Sequence, residues 1–264
     1  MQKVEISLYE VGYCKHPEFM VKKGGSFKSI KFPAMVALIA YADKNLLFDT
    51  GYGKYFFEAT QKFPEKLYAI TTPVTLEKSL CEMIDKKIDT IFISHFHADH
   101  IGGLKDFPEA KILCAKEEYE IAKSKISRFS KTKKGILPSL LPDDFEQRVT
   151  YIEALEKVVL PDSLAPFTQG YKVEEDFYAI ELPGHAKGQY GLVVEDTFFI
   201  SDAVWDMDTI IKGIMPNILT HLIFDDAKVY KETIKKLQEL HRRNPQLKIV
   251  PTHCSRTHRS YSNA

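Results

Sequence analysis

The feature that most constrains this chain is Ser94–Gly103, SHFHADHIGG, which continues the apolar run TIFIS at Thr90–Ser94. It places His95, His97, Asp99 and His100 within six residues. A short β-branched and aromatic run bounded by polar residues reads as a buried strand. Four polar groups at the end of such a strand are costly to desolvate unless something binds them. Extended residues alternate with a period of two, so His95 and His97 share a side. Asp99 and His100 are adjacent and tend to point apart, so one short segment can serve two metal positions. Gly102 and Gly103 allow close backbone approach where the chain turns. A single histidine is most often a surface or satisfied core residue, but three beside an acid are hard to explain that way.

Three later segments repeat the pattern of a polar residue just after a strand. Leu182-Pro183-Gly184-His185 places an imidazole in a Pro-Gly turn, Ser201-Asp202 a carboxylate after Thr197–Ile200, and Pro251-Thr252-His253 an imidazole after Leu247–Val250. Residues at several strand ends converge on one sheet edge, where α/β proteins build sites. Asp49-Thr50-Gly51 also ends a strand. Asp49 reads equally as a residue orienting a ligand histidine and as a turn former.

The rest of the chain supplies the strands and helices this needs. Val4–Val11 suggests a strand. Ala34–Tyr41 and Leu46–Phe48, around the polar turn Asp43-Lys44-Asn45, form a hairpin. Lys111–Cys114, Phe177–Leu182 and Gly191–Val194 read as further strands. The apolar positions Leu76, Leu80, Met83 and Ile84 predict a helix over Thr75–Ile84 with Thr75 as N-cap. Helices are also expected around Lys116–Lys123 and from Asp225 or Asp226 to about Arg243. Prolines at 138, 142, 161 and 166 and a fading apolar period mark about 124–170 as an insertion or lid within one domain spanning 1–264. The alternation of strands and helices, with several hairpins, predicts mixed sheets with helices outside.

Composition narrows the function classes. Of 264 residues, 44% are hydrophobic and 27% charged, which suits a soluble globular domain. No run approaches the ~20 apolar residues of a membrane span, and the first residues lack the plan of a secretory signal. Lys+Arg and Asp+Glu are equal at 36, whereas a general nucleic-acid binder is usually basic. Cys14, Cys81, Cys114 and Cys254 are far apart with no CxxC pair, which fits a reduced, cytoplasmic protein. A small-molecule substrate is expected, with neither nucleic acid nor membrane as partner; the oligomeric state is not legible.

HFHADH, then PGH, SD and PTH, resembles the metallo-β-lactamase superfamily of hydrolases, over most of the chain from Asp49 to His253. The resemblance implies an α/β fold, a four-layer αββα sandwich of two mixed sheets with outer helices. It is nearest to the lactonase and glyoxalase II branches, which keep Asp-His in the second metal position and a bridging aspartate. It implies one metal on His95, His97 and His185, a second on Asp99, His100 and His253, and Asp202 bridging both. Seven candidate ligands exceed the three that a single catalytic zinc typically uses. Two divalent ions are therefore expected, zinc first, with iron, manganese or cobalt compatible with the same imidazole and carboxylate donors. The implied activity is metal-dependent hydrolysis, with a hydroxide between the metals attacking a lactone or carboxylic ester. Catalytic roles fall to Asp202 and to Asp99, a candidate proton carrier. Cys254 adjoins a ligand, but alternation points it to the core.

Other readings of the same metals are a phosphodiesterase or nuclease, a thioesterase, and a metal-binding protein without turnover. Arg256, His258 and Arg259 follow His253, but the chain stops too early for the extra helical domain of glyoxalase II. Quorum-quenching lactonases often carry a tyrosine three residues beyond the bridging aspartate; here Trp205 stands there, in DAVW. Tyr190 reads as packing or as a substitute hydroxyl. Lys123, Lys125, Arg128, Lys131, Lys133 and Lys134 form a basic stretch, read as a solvated face or as a lid attracting an anion. Phe19, Met20 and Phe27 read as pocket wall or core. His16, His221 and His241 lack a strand-end position and are left out of the site.

Overall fold

The computed structural model describes residues 4–261. Thirteen strands among them form two mixed sheets. The first contains β1 (Glu5–Pro17), β2 (Ser29–Tyr41), β3 (Lys44–Phe48), β4 (Val74–Thr75), β5 (Thr90–Phe92), β6 (Lys111–Cys114) and β7 (Val149–Tyr151), in the order β4-β1-β2-β3-β5-β6-β7. The second contains β8 (Lys157–Val159), β9 (Gln169–Glu174), β10 (Phe177–Glu181), β11 (Tyr190–Val194), β12 (Thr197–Ser201) and β13 (Lys248–Pro251), in the order β13-β12-β11-β10-β9-β8. β3, β5, β6 and β7 run parallel, as do β12 and β13. The remaining pairs are antiparallel.

The period-two alternation of the strands divides the core into three, which gives the expected four layers. Met35, Ala37, Phe48 and Phe92 of the first sheet meet Leu192, Val194, Phe199 and Val250 of the second between the sheets. Val36, Leu38, Leu47 and Ile91, one residue out of phase, face outward onto Tyr52, Phe56, Leu80 and Ile101. Ile180, Val193, Phe198 and Ile249 face the other way, onto Ile234, Leu237 and Leu240 of the helix Ala227–Arg243. That helix starts where Asp226 accepts from the backbone N–H groups of Lys228 and Val229, a side-chain N-cap.

Two expectations are corrected. The helix predicted over Thr75–Ile84 is only Leu80–Met83, started by Ser79 in a capping box with Glu82 rather than by Thr75. Val74 and Thr75 instead pair with Cys14 and Tyr13 at the edge of β1. That edge offers unpaired backbone groups, and pairing there overrides a local helical period. β1 itself runs on to Pro17, past a register shift between Glu10 and Tyr13. The stretch 124–170 divides: β7 and β8 complete the two sheets, whereas Arg128–Ile136 crosses the site.

Candidate metal centre

The site lies where β3, β5, β10, β12 and β13 end. His95, His97, Asp99 and His100 follow β5, His185 follows β10, Asp202 follows β12 and His253 follows β13. The chain is bent sharply to deliver them. Asp49 and Ser201 hold positive φ of 62° and 50° at the ends of β3 and β12, a conformation that costs about 1–3 kcal/mol outside glycine and tends to cluster at functional sites. Gly184 sits at φ +119°, where a Cβ would lie 2.2 Å from the Tyr230 nitrogen, so only glycine lets the turn before His185 pack on the helix Ala227–Arg243.

All seven predicted donors come together, in two groups. His95, His97, His185 and Asp202 place one donor atom each within 4.8 Å of one another, and Asp99, His100 and His253 do the same. Asp202 also reaches the second group: Oδ2 lies 3.1 Å from His253 Nε2, and Oδ1 lies 3.5 Å from His100 Nε2. Except for His97 and His253, which are partly buried, the donors are buried.

The far sides of three of the imidazoles, His95, His100 and His253, are held in place. The Ser94 hydroxyl lies 3.1 Å from His95 Nδ1, with Ser201 Oγ 2.8 Å from Ser94 Oγ. Asp49 lies 2.8 Å from His100 Nδ1 and accepts from the backbone N–H and hydroxyl of Ser94, each at 2.8 Å. His253 Nδ1 donates to the Pro33 carbonyl at 2.7 Å. Such contacts fix the tautomer that leaves Nε2 free. Asp49 is therefore both turn and orienting group. Ser94 and Ser201 escaped the sequence reading, although each stands immediately before a donor.

Three buried polar atoms facing the other donors have no hydrogen-bond partner: His95 Nε2, His100 Nε2 and Asp202 Oδ1. Orphaned buried polar atoms are rare and call for an explanation, and metal ions fit this donor set. Burial, then the neighbouring histidines, lowers the pKa of His95 well below the usual imidazole range. Burial also lowers His97, and takes His185 down to about 3. These three are neutral, as ligation requires. Burial opposes charge on His100 and His253 too, but the carboxylates around them, Asp99 and Asp202 among them, outweigh it and raise both.

A cavity of about 470 Å³ opens onto His97, Asp99, His185, Asp202 and His253. Its wall is mainly apolar and includes Val21, Phe32, Leu67, Phe129, Trp205 and Ile223. Met20 also lines it, whereas Phe27 is exposed and meets Phe19 at a tilted angle. His16, left out of the site on sequence grounds, belongs to the wall, though to neither donor group. His241 lies on the helix Ala227–Arg243, and the side chain of His221 falls outside the described residues. Tyr190 and Cys254 are core residues.

The basic stretch is largely engaged. Lys123 pairs with Glu146 and Arg128 with Glu65, while the Lys131 ammonium donates to the Ala122 and Ser124 carbonyls. Only Lys133 and Lys134 of the six line the cavity. Lys134 lies 3.5 Å from Asp225. The next residue, Gly135, has positive φ, and a Cβ there would lie 2.5 Å from the His97 ring.

The sequence profile described as the metallo-beta-lactamase superfamily matches residues 30–253. The chain belongs to this superfamily. Solved structures with the same fold include a variant of AiiA from B. thuringiensis with N-decanoyl-L-homoserine at its active site. That match has 18% identity and a TM-score of 0.68, over 97% of this chain and 95% of the other. An N-acyl homoserine lactone hydrolase with N-hexanoyl-L-homoserine at its catalytic metal centre matches at 19% identity and TM-score 0.68, over 97% and 95%. AidC, a dizinc quorum-quenching lactonase, matches at 16% identity and TM-score 0.63, over 96% and 88%. Among the described residues of this superfamily member, no helix is long and apolar enough to cross a membrane.

Proposed function

We propose that this protein is a dinuclear metal-dependent hydrolase that opens a lactone or carboxylic ester carrying an apolar group. One observation carries the reading: two donor groups joined through Asp202 face a cavity whose wall is mainly apolar. His95, His97 and His185 would hold one ion, Asp99, His100 and His253 the other, and Asp202 would bridge them. When bound, two divalent ions supply a nucleophilic water at neutral pH and polarise the substrate carbonyl. Zinc suits the donors, as do iron, manganese and cobalt.

The protein's own contribution is orientation and exclusion of water. Phe32, Trp205, Phe129 and Ile223 pack the substrate's apolar part and leave the scissile carbonyl at the polar floor. Asp99 lines that floor and is placed to carry a proton to the leaving oxygen, which is needed because an alkoxide is a poor leaving group. Arg128–Ile136 covers the cavity beside His97 and acts as a lid that selects among substrates. The structural relatives that hold acyl-homoserine products fit this substrate class. The wall disfavours a phosphodiester or nucleic acid, since four of the six basic residues lie outside it.

A panel of chromogenic lactones, esters, thioesters and phosphodiesters, run with metal content measured in parallel, tests the reading. Lactone or ester turnover that scales with bound metal is expected, faster for substrates with an alkyl chain. Turnover confined to phosphodiesters, or none with two ions bound, would refute it.

A further inference from the structure

We propose that Trp205 is a positioning residue: its indole N–H is committed to Asp202 and fixes the carboxylate that the two donor groups share. This rests on the reading of the site as a metal centre. Trp205 Nε1 lies 3.1 Å from Asp202 Oδ2. An indole has one donor and no acceptor, so a proton given to Asp202 is not available to a substrate. A tyrosine at this position would both donate and accept, and could serve the carboxylate and a ligand in turn.

The ring cannot easily turn away. Its centroid lies 5.5 Å from Phe224, 5.9 Å from His185 and 6.1 Å from Phe32, and the residue is 9% exposed. The two oxygens of Asp202 are thereby made unequal. Oδ2 takes the indole proton and faces His253 at 3.1 Å and His185 at 3.4 Å. Oδ1 faces His100 and has no hydrogen-bond partner. Rotation about the bond to the carboxyl carbon is soft and twofold. The indole N–H, whose nitrogen carries a proton in every state, holds Oδ2 on the same side as the His253 contact and so favours one orientation. Trp205 therefore has two tasks, cavity wall and holder of the shared carboxylate, and the hydroxyl that a lactonase-type tyrosine would bring to position 205 is absent from the reaction.

The test compares zinc affinity, by chelator competition, in metal-free wild type, Trp205→Phe and Trp205→Tyr. Losing the donor should weaken zinc binding about 10- to 100-fold, the usual cost of removing a hydrogen-bond partner of a ligand. Two ions should still bind at saturation, and Trp205→Tyr should recover most of the loss. Trp205 is the sole tryptophan, so emission from metal-free wild type should change as zinc is added. Equal affinities for wild type and a folded Trp205→Phe would overturn the proposal and leave a wall residue only. If the variants fail to fold, the wild-type titration decides, and emission unaltered at zinc saturation would overturn it. Both measurements omit substrate, so a protein that binds zinc as described but hydrolyses nothing sinks the hydrolase reading and leaves this one standing.

Discussion

Replacing Asp49 with asparagine changes one oxygen to an amide nitrogen in a fully buried position. Oδ1 accepts from the Ser94 backbone N–H, and Oδ2 meets both the Ser94 hydroxyl and His100 Nδ1, all at 2.8 Å. In Asp49→Asn the amide oxygen keeps the backbone contact, and the Ser94 hydroxyl can rotate to accept from the new NH₂. His100 cannot adapt so simply. Its Nδ1–H would face another donor, so the ring must move its proton to Nε2, the orphaned atom that points at the second donor group. A protonated Nε2 cannot bind a metal. The lost contact is charge-assisted, worth about 1.5–3 kcal/mol, which corresponds to about a 10- to 150-fold loss in affinity. Chelator-competition titration should show two tight zinc sites in the wild type and one tight plus one weakened site in Asp49→Asn. Imidazole nitrogen NMR should show His100 exchanging tautomers. Two unaltered sites in the folded variant would refute the assignment of Asp49 as the group that sets the His100 proton.

Two further outcomes are expected. Glu118 is buried and accepts from the Phe96 N–H at 2.9 Å, between His95 and His97, and burial pushes its carboxyl up from 4.5 to about 8. Between those values the folded protein keeps a proton that the unfolded chain has released, so the wild type loses stability as pH rises through this window. Glu118→Gln keeps the acceptor and removes the slope, so urea midpoints should favour the variant increasingly from about pH 5 to about pH 8, by a few kcal/mol at most; parallel profiles would contradict the buried acid. Asp202→Asn keeps the size but removes the charge between the donor groups, so metal analysis should show one ion weakened and turnover should fall by a factor of about 100 or more. Two ions retained with near-normal activity would show that Asp202 is not the bridge.

The donor set was legible in the sequence because it is written locally. His95, His97, Asp99, His100, His185, Asp202 and His253 each stand within a few residues of a strand end, and strand ends announce themselves through an apolar run stopped by Pro, Gly or Ser. The four-layer sandwich was legible only through the family resemblance. Alternating strands and helices predicted mixed sheets with helices outside, but central strands such as Tyr190–Val194 and Thr197–Ser201 are buried along their whole length, so no apolar/polar alternation marks their faces. What the sequence misread depends on partners far along the chain. Val74 and Thr75 left their helical pattern because β1 offered them an open edge. For the basic stretch from Lys123 to Lys134 the sequence left a solvated face and an anion-attracting lid both open. Only packing shows that Glu65, Glu146 and two carbonyls engage three of its six members and that Lys133 and Lys134 line the cavity. Trp205 looked like a simple departure from a tyrosine until its N–H was found on Asp202. Local periodicity fixes where a polar group leaves a strand. Which atom it then meets is decided by packing between segments tens to hundreds of residues apart, and that packing also determines which tautomer, charge and orientation each group keeps.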